Sequence, residues 1–172
     1  LEGVQLSPAD HLMSADEIYT IAQSFVKFGV TKIRLTGGEP LVRKDFPKIL
    51  ELLATLDAEL SITSNAVSID RHIELLKKTG VQAVNISLDT LNAERFHDIT
   101  FRDYFDRVYE NMLTLIKEGF KVKINAVLMR GVNEDEILDF IAFTKTHEVG
   151  VRFIEFMPFD GNQWKREKTV SY

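Results

Sequence analysis

Apolar residues recur with a helical period at Ile18, Ile21, Ala22, Phe25 and Phe28, after Ser14 and Glu17 spaced as a capping box and before Gly29. This predicts a helix. A strand over Thr31–Thr36 follows, and Asp45 stands as the cap of a second helix that carries Phe46, Ile49, Leu50, Leu53 and Leu56 on one face. The alternation continues with a strand Ala58–Thr63, a helix near Asp70–Thr79, a strand Val81–Leu88 and a helix near Phe101–Lys117 closed by Gly119. A strand Lys121–Met129 leads to a helix capped by Asn133 with Glu136 three residues on, running to about His147, and a strand Val151–Phe156 comes last. Beyond Pro158 no period is visible.

Strands alternating with helices over short loops predict right-handed β-α-β units and a parallel sheet, either open and doubly wound or curled toward a barrel. A parallel sheet covered on both faces calls for almost continuously apolar strands. These strands alternate instead. Lys32, Arg34 and Thr36 oppose Ile33 and Leu35; Ser61 and Thr63 oppose Leu60 and Ile62; Asn85, Ser87 and Asp89 oppose Val84, Ile86 and Leu88; Lys121, Lys123 and Asn125 oppose Val122, Ile124 and Ala126. One face packs on helices and the other is polar, as in the lumen of an open or partial barrel. A bare, solvated sheet face is the alternative.

With 172 residues, 45% hydrophobic and 27% charged, the chain suits one globular domain, 1–172, and holds no apolar run of bilayer length. Its 26 acidic and 21 basic residues leave a net charge of −5, which gives no reason to expect DNA, RNA or a membrane as partner. Any anion site must be built locally, and Lys32, Arg34, Lys121 and Lys123 gather positive charge on the polar face, as a nucleotide phosphate requires. The chain has no cysteine, so disulfides, thiolate zinc sites and thiolate-held iron–sulfur clusters are excluded for these residues. The histidines His11, His72, His97 and His147 lack metal-ligand spacing and are assigned no chemistry. No signal peptide and no initiator Met open the chain, which reads as cut at its front.

Ligands of parallel β/α folds sit at the carboxyl ends of strands, where Gly37, Gly38, Glu39 and Pro40 follow the strand Thr31–Thr36. Two glycines let a ligand touch the main chain, Glu39 offers a carboxylate, and Pro40 fixes the turn. A tight turn with an exposed Glu is the bland reading of the same residues. Thr63, Ser64 and Asn65, then Ser87 and Asp89, then Arg152, Glu155 and Met157 occupy the same end of later strands. No Ser-His-Asp or Cys-His set, Walker loop or GxGxxG accompanies them.

The motifs KIRLTGGEPLVRKD (32–45), ITSN (62–65), VNISLDT (84–90), KVKINAVLMRGVNEDEI (121–137) and VRFIEFMP (151–158) run through nearly the whole chain. Together they resemble the radical S-adenosylmethionine (radical SAM) enzymes, and within them the GTP 3',8-cyclase family of molybdenum-cofactor biosynthesis. That resemblance implies a partial TIM barrel of β/α units with its first strand missing here. It implies SAM binding by Gly37, Gly38, Glu39, Pro40, Ser87 and Met157, and GTP binding by Lys32, Arg34, Thr63, Lys123 and Arg152. In such a family a [4Fe–4S] cluster on a three-cysteine loop reduces SAM to a 5'-deoxyadenosyl radical, GTP is converted to 3',8-cyclo-7,8-dihydro-GTP, and a second cluster helps hold the base. The product passes to the next enzyme of the pathway, its protein C, in the cytoplasm. Both cysteine sets are absent from this chain, one expected before Leu1 and one after Tyr172, so the piece is expected to be inactive alone. Ala66 stands where such proteins usually carry glycine, and a missing first strand leaves Lys32–Thr36 as an edge open to a homodimer. Another radical SAM enzyme, or a cluster-free nucleotide-binding module, are the alternatives.

Overall fold

The computed structural model describes residues 12–158 and 165–170. His11 lies outside the described residues, as does part of the tail after Pro158. Five strands, β1 (Lys32–Leu35), β2 (Glu59–Ser64), β3 (Ala83–Ser87), β4 (Lys121–Leu128) and β5 (Val149–Glu155), form one sheet in the order β1-β2-β3-β4-β5. Every neighbouring pair is parallel. A doubly wound sheet reverses its strand order at a switch point, and this one never does. Right-handed crossovers that always step the same way put all the helices on one face, so the sheet is an arc of a barrel.

The helices are α1 (Ala15–Lys27), α2 (Phe46–Leu53), α3 (Ile73–Lys78), α4 (Ala93–Thr100), α5 (Phe105–Lys117) and α6 (Ile137–Thr146). Leu50, Leu53, Leu76, Met112, Leu115 and Phe140 from α2, α3, α5 and α6 are buried against Ile62, Ile86 and Ile124 of the sheet. Each fully buried side chain of this kind contributes about 1.5–3 kcal/mol. Among the described residues no helix is long and apolar enough to cross a membrane.

Local chemistry agrees with some of the expected caps and corrects others. Ser14 and Glu17 form the capping box, with the Glu17 carboxylate accepting from the Ser14 amide at 2.8 Å and the Ser14 hydroxyl accepting from the Glu17 amide at 3.3 Å. Asp45 does not cap α2 with its side chain; it is held by Arg43 at 2.6 and 3.0 Å. Asn133 and Glu136 make no capping box either, because Asn133 bonds the Asp89 and Val127 carbonyls and Glu136 bonds Thr90 and Leu91, in the turn after β3. The helix expected near 101–117 is α5, beginning at Phe105, and an unforeseen helix, α4, precedes it and ends at Phe101, which sits in the left-handed region at φ 57°. α4 escapes a pattern reading because only Phe96 of its eight residues is buried, too few to make a period. A further departure lies in the tail, where Thr169 forms an antiparallel bridge with Met129 just beyond β4.

β1 is the edge of the arc, and beside it a groove of about 350 Å³ opens between α1 and the helix side of the sheet, lined by Ile21, Phe25, Ile33 and Leu35. The groove is apolar. Lys32 and Arg34 of β1 also line it, so at this edge it borders the polar face that carries the candidate chemistry.

Candidate functional site

Strand register places the candidate side chains in rows across the polar face. Arg34 aligns with Ser61, Ala83 and Lys121; Thr63 with Asn85, Lys123 and Gly150; Ser87 with Asn125 and Arg152. Residues in one row of a sheet project to the same side, and rows two residues apart do so as well. Lys32, Arg34, Thr63, Ser87, Lys123 and Arg152 therefore share one face, opposite the helices. Glu155 falls on the other parity, with Phe153, and so leaves this face.

The electrostatics are uneven. Lys32 is paired with Glu59 at 3.0 Å, but both side chains are about three-quarters exposed, so the pair adds little stability. No carboxylate among the described residues pairs with Arg34, Lys123 or Arg152, and Arg34 reaches only the Ser61 hydroxyl at 3.4 Å. The lining between them is hydroxyl and amide: Ser61, Thr63, Asn85 and Asn125. Asn85 is buried and donates to the Ile62 carbonyl at 3.3 Å, whereas Asn125 Oδ1 is buried with no hydrogen-bond partner. A buried acceptor left unpaired costs about 1–3 kcal/mol, so a donor from a ligand would recover that cost.

The Gly37–Pro40 loop leaves β1 at the same end of the sheet. Gly37 has φ +135°, a region that side chains rarely enter, while a Cβ on Gly38 would meet nothing within 4 Å. Among the described residues nothing comes within 4 Å of a Cβ built at either glycine. Glu39 is fully engaged: its carboxylate accepts from the Leu41 amide at 3.2 Å, the Ser64 hydroxyl at 2.9 Å and the Asn65 amide at 2.7 Å. It fastens the loop after β1 to the end of β2. Pro40 then opens a single 3₁₀ turn, Pro40–Val42. Met157 lies two residues beyond β5 and is exposed.

Ala66 follows this seam in the left-handed region, φ 59°, with its amide bound by Ser64 Oγ at 2.9 Å and its carbonyl by Asn111 at 2.7 Å. The turn keeps a glycine-like backbone although its residue is alanine.

A second group gathers at the carboxyl end of β3, where Asp89 was marked as a strand-end residue but its network with Asn133 and Glu136 was not foreseen. Asp89 accepts from the Val127 amide at 2.8 Å, Asn133 donates to the Asp89 and Val127 carbonyls at 2.7 and 2.9 Å, and Glu136 accepts from Thr90 and Leu91 at 2.5 and 2.6 Å. Asn133, Glu136 and Thr90 are buried. The signal was present as polar residues within an apolar motif, but the bonds that join the β3 end to Val127, Asn133 and Glu136 span 38 to 46 residues.

Burial pushes the Asp89 carboxyl above its ordinary value of 3.8, with the Val127 hydrogen bond opposing the shift. An acid with a raised folded pKa favours folding below its unfolded pKa and loses that contribution as pH rises through the folded value. Asp89→Asn keeps an acceptor for Val127 without the charge. Its stability relative to the parent should therefore rise from pH 4 to pH 7, as measured by urea unfolding at both; an unchanged or falling difference contradicts the burial argument.

The profile of the radical SAM superfamily matches residues 5–144. The chain is 49% identical over 174 residues to molybdenum cofactor biosynthesis protein 1 of Bos taurus, an alignment covering 99% of this chain and 28% of that one. It is 48% identical to the mitochondrial GTP 3',8-cyclase of Arabidopsis thaliana, covering 99% and 45%. Among solved structures, SuiB of Streptococcus suis superimposes with a TM-score of 0.74 at 21% identity, covering 93% of this chain and 37% of SuiB. That similarity carries the fold alone. The chain spans between about a quarter and about a half of the length of the curated relatives it matches.

Proposed function

The chain belongs to the radical SAM superfamily, and from that membership we propose that it is the ligand-binding arc of a GTP 3',8-cyclase acting in molybdenum-cofactor biosynthesis. Identity near one half to proteins of that name supports the substrate, and the polar face supports it independently. One observation carries most weight: Arg34, Lys123 and Arg152 share a face with hydroxyls and amides between them and no carboxylate partner. A triphosphate supplies the missing negative charge.

In this reading Lys32, Arg34, Thr63, Lys123 and Arg152 bind GTP. Gly37, Gly38, Pro40, Ser87 and Met157 hold SAM, and Glu39 shapes their loop by its bonds to Ser64 and Asn65. Open space over Gly38 and the unpaired Asn125 Oδ1 fit an organic ligand with donors of its own. The [4Fe–4S] clusters of the full enzyme do not fit these residues, since the chain has no cysteine. In the full enzyme SAM would supply methionine and a 5'-deoxyadenosyl radical on taking one electron from a cluster held outside these residues; the residues of this chain would hold the nucleotide and position its ribose. The product, 3',8-cyclo-7,8-dihydro-GTP, then passes to the next enzyme of the pathway, and this reading puts the reaction in the cytoplasm.

Isothermal calorimetry with GTP, ATP and SAM tests the assignment. GTP should bind more tightly than ATP, with affinity that falls as salt rises. Equal binding of the two nucleotides, or none, overturns it.

The open edge of β1 makes a homodimer part of the same reading. Two antiparallel β1 strands about a twofold axis would set Arg34 opposite Arg34 or Lys32 of the other copy, a like-charge cost. Association should therefore strengthen with ionic strength, as sedimentation would show. A strict monomer at every salt concentration removes this element of the reading.

A further inference from the structure

The geometry points to Glu136 and Thr90 as positioning residues for the SAM-binding hydroxyl of Ser87, an inference that rests on the function proposed above. Ser87 is the last residue of β3, and each residue after it is tied down by β4 or by the turn that follows β4. The Leu88 amide donates to the Asn125 carbonyl at 3.1 Å, continuing the ladder. Asp89 takes the Val127 amide through its side chain and gives its carbonyl to Asn133. Thr90 Oγ1 donates to Glu136 and accepts from the Asn92 amide at 3.0 Å, and the Leu91 amide donates to the other Glu136 oxygen. Arg95 completes the set, bonding Glu136 and gripping Asp135 at 3.0 Å through two nitrogens.

Glu136 is 5% exposed and Thr90 1%, so a carboxylate has been taken out of water to make these bonds. Stability alone is a weak reason for such a group, since apolar replacements of buried ion pairs are often neutral or better. Position is a stronger one. Past Ser87 the chain leaves the sheet, and a loop at a strand's carboxyl end would ordinarily drift by an ångström or more without partners. Side-chain bonds from the β4–α6 turn hold it instead, so Ser87 and the neighbouring Asn125 keep one relative height on the polar face. The Arg34 and Lys123 rows lie outside this clamp.

Glu136→Gln keeps the shape and removes the charge; Thr90→Val keeps the shape and removes the hydroxyl. Both are made in this chain, with amide hydrogen exchange and calorimetric titration of SAM and GTP as readouts. The Leu91 and Asn92 amides should exchange at least about tenfold faster in both variants, while the Leu50 and Ile124 amides keep their protection. SAM should bind about tenfold more weakly, and GTP within about twofold of the parent. Faster exchange with unchanged SAM affinity overturns the positioning role, as does unchanged exchange. Equal weakening of GTP marks a merely structural effect and overturns it too. Parent protein that binds no SAM at all removes the functional reading, and this inference with it, a result recognisable before any variant is made.

Discussion

Replacing Arg34 and Lys123 together by alanine is expected to remove GTP binding to the limit of calorimetric detection. Each is exposed on the polar face, without a carboxylate partner, so each is available to a phosphate. A charge-assisted hydrogen bond contributes about 1.5–3 kcal/mol, or roughly 10- to 150-fold in affinity, and the two residues sit on separate strands with no shared contact. Their losses should then nearly add, giving at least about a hundredfold for the pair. Folding should not suffer. Both side chains are exposed and neither pairs with a carboxylate among the described residues, so the double variant should unfold within about 0.5 kcal/mol of the parent. Binding retained within about threefold would mean that the phosphates lie elsewhere.

Glu39→Ala should be the most destabilising change within the candidate site. The carboxylate satisfies Leu41, Ser64 and Asn65 together, and it is the bond between the GGEP loop and the end of β2. Removing one acceptor that serves three donors should cost about 2–4 kcal/mol, since the Asn65 and Leu41 amides lose their partner near the protein surface. For a domain of this size that is a fall of roughly 5–15 °C in melting temperature. Glu39→Gln retains one oxygen and should fall between parent and alanine. An alanine variant that melts within 2 °C of the parent, roughly 1 kcal/mol or less, would show that water replaces the carboxylate without loss.

Both predictions draw on residues that the linear pattern marked, but the pattern indicated the surroundings of only one. Arg34 and Lys123 were read from alternation, and alternation has one geometric meaning in a strand, so the face they share followed at once. Glu39 was read as a carboxylate offered to a ligand. In the fold it is fastened to the next strand, a contact that spans 26 residues to Asn65 and has no periodic trace. Asn133 and Glu136 are the same case: their spacing matches a capping box, yet a buried β3 turn with open donors outcompetes the local helix end. α4 was lost for the opposite reason, since one buried phenylalanine makes no pattern.

Apart from α4, the order of helices and strands, the parallel sheet, its two unlike faces and the placing of basic and hydroxyl side chains on the polar one were determined by the chain's own periodicity. Backbone geometry converts period directly into direction. The tertiary structure alone decided which polar groups are used up in holding strand ends and which stay open to a ligand. That division depends on distances between segments far apart in sequence, and no local rule encodes them.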